Sequence, residues 1–399
     1  MPAEPAIRSL DQTKPLSGSR PQANRTARGA NTASGADWTG TRLGRYTILG
    51  ELAAGGMASV CLAQGGGIEG FRRLFALKML HPEMAANPVA VKWFLDEAWI
   101  AGQVRHYNAV SAIEASQRGD SSYYLVMEYI AGDHLRNLLR QAYRNGERMP
   151  ARVAVRIVID TLAGLEAIHD LKDSQGRPLE LIHRDVSPQN ILVGVDGITR
   201  LTDFGLTQPA QRINRERAEL FAGKLAYMSP EHVGQETLDQ RSDLFSMGVV
   251  LWESLTTARL FAAPTPKLTI DRVREARVTK PSRIRADLSA FDRVVARALA
   301  PCASARFRTA REFRAALHQA CAEIGGPASR REVRWIVSQY AAEKLQRERE
   351  LGRSPVMLSQ PRASAPAAGP RPPRGRKPLT RASRTGSCAD QVDSLANAV

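Results

Sequence analysis

The chain has 399 residues, 43% of them hydrophobic, and a formal net charge of +16, enough for one bilobal domain with tails and for an ordinary globular core. No apolar run approaches the ~20 residues of a membrane span, no signal-peptide core opens the chain, and Cys61, Cys302, Cys321 and Cys388 lack metal-knuckle spacing, so a cytoplasmic protein with reduced thiols and no membrane segment is expected. Residues 326–399 hold 14 Lys/Arg against 6 Asp/Glu and residues 1–40 hold 5 against 3, so the ends carry +8 and +2; a basic tail reads first as a solvated segment, and nucleic acid is set aside as a partner.

Residues 1–43 are rich in Ser, Thr, Pro, Gly, Ala and Arg and are expected to form a disordered arm. The folded domain is expected over 44–322, with a first part at 44–130 and a second at 133–322. In the run 46–63, β-formers flank Ala53, Ala54, Gly55, Gly56, Met57, Ala58, Ser59 and Val60, which predicts strand, Gly-rich turn, strand. Small residues there let backbone N–H groups approach phosphates closely, although a hairpin without a ligand has the same signature. A second turn is expected over 64–70.

Leu74–Leu80 predicts a buried strand interrupted by Lys78, whose ammonium must reach solvent or meet an anion. The next helix places Trp93, Phe94, Glu97, Ile100 and Ala101 on one face, and Glu97 is the expected partner of Lys78. Strands at 109–117 and 122–130 end at Gly132, which suits a hinge. Helices follow at 134–144, 151–172, 229–236, 240–257, 268–276, 288–299 and 309–323. A β-rich first part and a helical second part predict an α+β, two-lobed domain, with the apolar helix 240–257 at the centre of the second lobe. An extra helix over 327–352 is expected to dock on the second lobe or to bind a partner, and the basic Pro/Ala/Arg-rich tail 353–399 is expected to be disordered.

The chemistry concentrates in Ile182-His183-Arg184-Asp185-Val186-Ser187-Pro188-Gln189-Asn190 and the Asp203-Phe204-Gly205 step that follows. Two carboxylates and an amide on adjacent turns suit the positioning of a hydroxyl and a divalent metal against a phosphate chain. The order of Gly-rich turn, Lys78, Glu97, Met127-Glu128, His183-Arg184-Asp185, Asn190, Asp203-Phe204-Gly205, Ser229-Pro230-Glu231, Asp243 and Arg306 resembles the eukaryotic-like bacterial serine/threonine protein kinases over about residues 46–320. The strings from His183 to Asn190 and from Gly223 to Glu231 resemble the myxobacterial group.

The resemblance implies the bilobal protein-kinase fold, with a small β-rich N-lobe and a larger helical C-lobe. ATP would lie between the lobes, in a pocket of Leu52, Val60, Ala76, Met127 and Leu192, with the backbone of Glu128 and Ile130 on the adenine edge. Lys78, paired with Glu97, would hold the α- and β-phosphates, and Asn190 and Asp203 would bind Mg²⁺. Asp185 would serve as catalytic base toward serine or threonine hydroxyls of protein substrates, in bacterial signalling. His183 would pack beneath this loop, Asp243 would tether it, and Glu231 and Arg306 would form a buried pair bracing the C-lobe.

Three departures stand out. The turn has Ala53, Gly55 and Ala58 where the family pattern has three glycines, which implies weaker nucleotide binding, or a pseudokinase scaffold as the alternative. The family's Lys two residues after the catalytic Asp is Ser187 here, and its Thr near the Ser229-Pro230-Glu231 step is Lys224; Lys224 is therefore expected to reach back beside Asp185, with Ser187 supplying the hydroxyl. Between Gln208 and Ala222 there is no Ser, Thr or Tyr, so either Glu216 or Glu219 is expected to stand in for the phosphate that would otherwise meet Arg184, or Arg184 pairs with nothing and activity waits for a partner.

Overall fold

Six strands build the first lobe: Arg42–Leu43 (β1), Tyr46–Ala54 (β2), Ala58–Gly66 (β3), Arg72–Leu80 (β4), Ala112–Arg118 (β5) and Ser122–Glu128 (β6). They form one antiparallel sheet in the order β1-β2-β3-β4-β6-β5. The computed structural model describes residues 38–66, 72–119, 122–204 and 223–353. On one side of the sheet Leu43, Tyr46, Ile48, Leu77, Met79 and Val126 make a small core; on the other Ala76, Leu80, Phe94, Leu125, Met127 and Ile130 make a second. The helix Pro82–Ala85 (α1) leads into Pro88–Gln103 (α2), where Asn87 accepts from the Val89 N–H and Pro88 opens the first turn.

The start of the lobe lies earlier than the sequence suggests. Leu43 is buried and pairs with Tyr46, and Trp38 packs against the same core, so the expected arm gives way to structure before residue 43. The expected turn at 64–70 also begins later, because β3 continues through Gly66. Gly65 belongs to that strand for a packing reason: a Cβ there would meet the Phe75 ring at 2.5 Å.

A short sheet of Gly132–His134 (β7), Ile191–Gly194 (β8) and Thr199–Leu201 (β9) opens the second lobe. Its helices are Leu135–Arg144 (α3), Ala151–His169 (α4), Pro230–Gly234 (α5), Gln240–Thr256 (α6), Pro266–Glu275 (α7), Pro281–Ile284 (α8), Asp292–Ala298 (α9) and Ala310–Ala322 (α10). Every residue of α6 from Ser242 to Thr256 is buried, as its apolar run predicts. Two of its hydroxyls are satisfied within the helix, Ser254 donating to the Val250 carbonyl and Thr256 to that of Trp252, while Ser242 donates to Glu231 and Ser246 to the Tyr227 carbonyl. Gly132 is held tightly: a Cβ would lie 2.1 Å from the Val193 carbonyl oxygen across the β7–β8 pair.

The extra helix expected over 327–352 is two helices, Arg330–Tyr340 (α11) and Ala342–Arg353 (α12), broken at Ala341. A capping box between Ser329 and Glu332 starts the first. Val333, Ile336 and Val337 of α11 join the second-lobe core beside α3 and α4, whereas α12 turns toward β2. Both helices contribute to the second-lobe core, α12 through Leu345, and the end of α12 reaches β2 at Gly50.

Candidate active site

Three charged side chains meet between the lobes. Lys78 stands on β4 opposite Leu125 of β6, and Glu97 lies on the inward face of α2. Lys78 Nζ donates to Glu97 Oε1 at 2.6 Å and to Asp203 Oδ1 at 2.9 Å, so one ammonium joins β4, α2 and the loop after β9. Burial alone would lower the Lys78 pKa, but the carboxylates of Asp203 and Glu97 outweigh it and hold it above the usual lysine range. Burial would raise Asp203; the Lys78 ammonium holds it below its ordinary value instead. Burial lifts Glu97 despite the same neighbour.

The loop between α4 and β8 carries the second group. Asn190 Nδ2 donates to both the Asp185 carbonyl and Asp185 Oδ2 at 2.8 Å. Lys224 Nζ donates to the same Oδ2 at 2.6 Å, so Lys224 reaches back beside Asp185. Ser187 behaves differently from expectation: its Oγ is buried and has no hydrogen-bond partner among the described residues, and it does not meet Asp185. The loops are tied to one another by the Thr202 N–H donating to the Asn190 carbonyl at 2.9 Å.

The loop is held from beneath. Asp243 of α6 accepts the N–H groups of His183 and Arg184, each at 2.8 Å, and lies 2.8 Å from His169 Nε2. Burial would raise this carboxyl, but the His169 hydrogen bond and the neighbouring donors keep it below the usual range. His183 is fully buried against Phe204, its Nδ1 accepting from the Asp185 N–H at 3.3 Å, and burial lowers its pKa. Arg184 and Asp203 adopt φ of 63° and 55°, left-handed conformations that non-glycine residues hold only where packing enforces them. His169 is the site's supporting residue that the sequence does not disclose: it sits 74 residues from Asp243 with no local motif around it.

The expected nucleotide pocket converges on the sheet's inner face. Ala76, Met127 and Ile130 are buried in one cluster, with Val60, Met57 and Leu192 packed against it, while Leu52 is half-buried. The turn from β2 to β3 closes with the Gly55 N–H donating to the Ala58 carbonyl at 3.0 Å. Neither Ala53 nor Ala58 takes a positive φ, so the backbone accommodates both alanines, and Ala54, Gly55 and Gly56 are exposed. Ser59 points away, its Oγ 3.1 Å from His81 Nε2. Glu128 closes β6 opposite Phe75.

Farther down, Arg306 and Glu231 form a two-pronged pair at 2.7 and 2.8 Å, and the guanidinium also donates to the carbonyls of Ala300 and Pro301. Gly205, Glu216 and Glu219 lie outside the described residues.

The sheet over a helical lobe, with a Lys–Glu–Asp junction between them, is the bilobal architecture that the sequence resemblance implies. The protein kinase domain family matches residues 46–318, and this chain belongs to that family. It is 34% identical over 275 residues to a protein described as the tyrosine-protein kinase MasK of Myxococcus xanthus, a match covering 69% of this chain and 42% of MasK. It is 32% identical to the serine/threonine-protein kinase PksC of Streptomyces coelicolor, covering 68% of this chain and 48% of PksC. The chain thus spans less than half the length of these relatives. Among solved structures, the PknI kinase domain of Mycobacterium tuberculosis shares the fold with a TM-score of 0.53 at 24% identity, covering 71% of this chain and 98% of that domain.

Proposed function

We propose that this chain transfers phosphoryl groups from Mg²⁺-ATP to serine and threonine hydroxyls of proteins, with Asp185 as the base that receives and orients the hydroxyl. The observation that carries the reading is the Lys78 junction, at 2.6 Å to Glu97 and 2.9 Å to Asp203, which assembles parts from both lobes. The donor set fits the metal. Asn190 Oδ1 and Asp203 Oδ2 are hard oxygens with no hydrogen bond among the described residues. No group of three His, Cys, Asp or Glu side chains among the described residues could hold an ion by itself. Two oxygen ligands completed by phosphates are what Mg²⁺ takes at such sites. Bound Mg²⁺-ATP would supply the phosphoryl group and the cationic charge that neutralises its oxygens.

The chain's own share is positioning and charge. Lys78 would take the α- and β-phosphates while Glu97 keeps it in place. Asp185 has Oδ2 engaged by Asn190 and Lys224, which leaves Oδ1 to accept the substrate hydroxyl's hydrogen bond and then its proton. Lys224 would set beside that carboxylate the positive charge that the family pattern draws from a lysine two residues after the Asp. With Lys78, Glu97, Asp185, Asn190 and Asp203 all assembled, catalysis is favoured over a pseudokinase scaffold.

The test is incubation with labelled ATP and Mg²⁺ beside an Asp185→Asn variant, followed by phosphoamino-acid analysis. Labelling of serine and threonine should fall about 10²-fold or more in the variant. Undiminished labelling in Asp185→Asn would remove the catalytic assignment. Label confined to tyrosine would move the acceptor to the class for which MasK is named.

A further inference from the structure

Successive turns of α12 touch the second lobe, the segment joining the lobes, and the first lobe. At its start Leu345 is buried in the second-lobe core. At its end Leu351 lies against β2, where a Cβ on Gly50 would come within 3.1 Å of it, and Gly352 faces Leu74 of β4. Between them Glu348 is 4% exposed. A carboxylate that deep requires hydrogen-bonding partners. Its Oε1 accepts from Lys344 Nζ at 2.6 Å, one helical turn back, and its Oε2 accepts from the Tyr129 hydroxyl at 2.7 Å. Lys344 Nζ also donates to the Gly132 carbonyl at 2.7 Å. One ion pair of α12, its carboxylate buried and its lysine side chain 27% exposed, therefore grips the inter-lobe segment at Tyr129 and at Gly132. Burial and the adjacent carboxylate raise the Tyr129 pKa, which keeps its hydroxyl a donor. Tyr129 stands between Glu128 and Ile130, the two residues whose backbone is assigned to the adenine edge.

We infer that α12 is a clamp acting in cis on the inter-lobe segment, with Lys344 and Glu348 as positioning residues that hold the backbone of 128–132 in its nucleotide-binding shape. The inference rests on the nucleotide reading above. A segment held from behind loses little further freedom when it binds a ligand, and preorganisation of this kind is read out as affinity. Releasing Tyr129 or Gly132 returns that freedom to the unliganded protein without removing any group that touches the phosphates.

The experiment uses the full chain with Tyr129→Phe, Lys344→Met and Lys344→Arg. Four quantities are measured: the dissociation constant of a fluorescent ATP analogue with Mg²⁺, amide hydrogen exchange over 128–132, melting temperature, and kcat with separate KM values for ATP and acceptor peptide. Tyr129→Phe and Lys344→Met should each weaken nucleotide binding and raise the ATP KM about 3- to 10-fold. Exchange over 128–132 should speed up about tenfold, the loss expected for one hydrogen bond to a charged group. kcat and the peptide KM should stay within about twofold, and Lys344→Arg should recover most of the affinity. A lowered melting temperature with unchanged nucleotide affinity and unchanged exchange in both variants would reduce α12 to a structural brace and overturn the clamp. Should the parent chain bind no Mg²⁺-ATP at all, the nucleotide reading fails by itself; exchange over 128–132 in Tyr129→Phe then still decides whether α12 holds that segment.

Discussion

Replacing Lys224 by Met keeps the length of the stem and removes the charge. In the parent protein Nζ lies 2.6 Å from Asp185 Oδ2, with the two side chains 32% and 21% exposed. Unit charges ~4 Å apart interact by ~4 kcal/mol at an effective dielectric near 20. Solvent reaches both groups, so we discount this to about 1.5–3 kcal/mol. On the proposed mechanism this ammonium would neutralise negative charge carried during transfer, and each 1.36 kcal/mol corresponds to tenfold in rate. Lys224→Met should therefore lower kcat about 10- to 10²-fold. The ATP KM should change by less than about threefold, because nucleotide affinity is assigned to Lys78 and the pocket around Ala76 and Met127. Initial rates on an acceptor peptide, with kcat and KM separated, check both expectations. Lys224→Arg should retain part of the rate. An unchanged kcat in Lys224→Met would refute the idea that Lys224 supplies the charge absent at Ser187.

Glu231→Gln leaves the fully buried Arg306 guanidinium without its anion and should destabilise the fold by ~3–5 kcal/mol, a melting temperature lower by on the order of 10 °C. The same pair sets an acid limit. Burial would raise the Glu231 carboxyl, but Arg306 and Ser242 outweigh it and hold it at about 2, against 4.5 in the free group. Its stabilisation is present above pH 4.5 and is lost as pH falls from there through about 2. Denaturant titrations should show that the Glu231→Gln variant lacks this component of acid sensitivity. Gly132→Ala would force a Cβ to within 2.1 Å of the Val193 carbonyl and should cost roughly 3 kcal/mol by thermal melting. Ser187→Ala removes a buried hydroxyl that has no partner among the described residues; stability should hold or rise by up to ~1 kcal/mol with turnover within about twofold, and a large rate loss would return the hydroxyl to the catalytic unit.

The parts of this protein that were legible in its sequence share a physical property: each carries its signal locally. Lys78 is conspicuous because an ammonium interrupts an apolar strand, and α6 because its apolar run leaves no face for solvent. The α+β order follows from a change of period partway along the chain. What escaped notice depends on partners supplied from far away. Read locally, Lys344 and Glu348 are an ordinary i,i+4 pair on a charged helix, the pattern of a solvated face. Glu348 is buried where Tyr129, 219 residues away, donates to it, and Lys344 donates to the Gly132 carbonyl, 212 residues away. The break at Ala341 is likewise unmarked locally, since neither glycine nor proline accompanies it; beyond it the chain runs from the second-lobe core at Leu345 to β2 at Leu351. His169 likewise becomes part of the site only through Asp243. Local chemistry thus announces the groups assigned to act on the phosphate. The groups that hold the lobes and loops around them are chosen by tertiary contact, and in this chain they include the segment that follows the catalytic lobe.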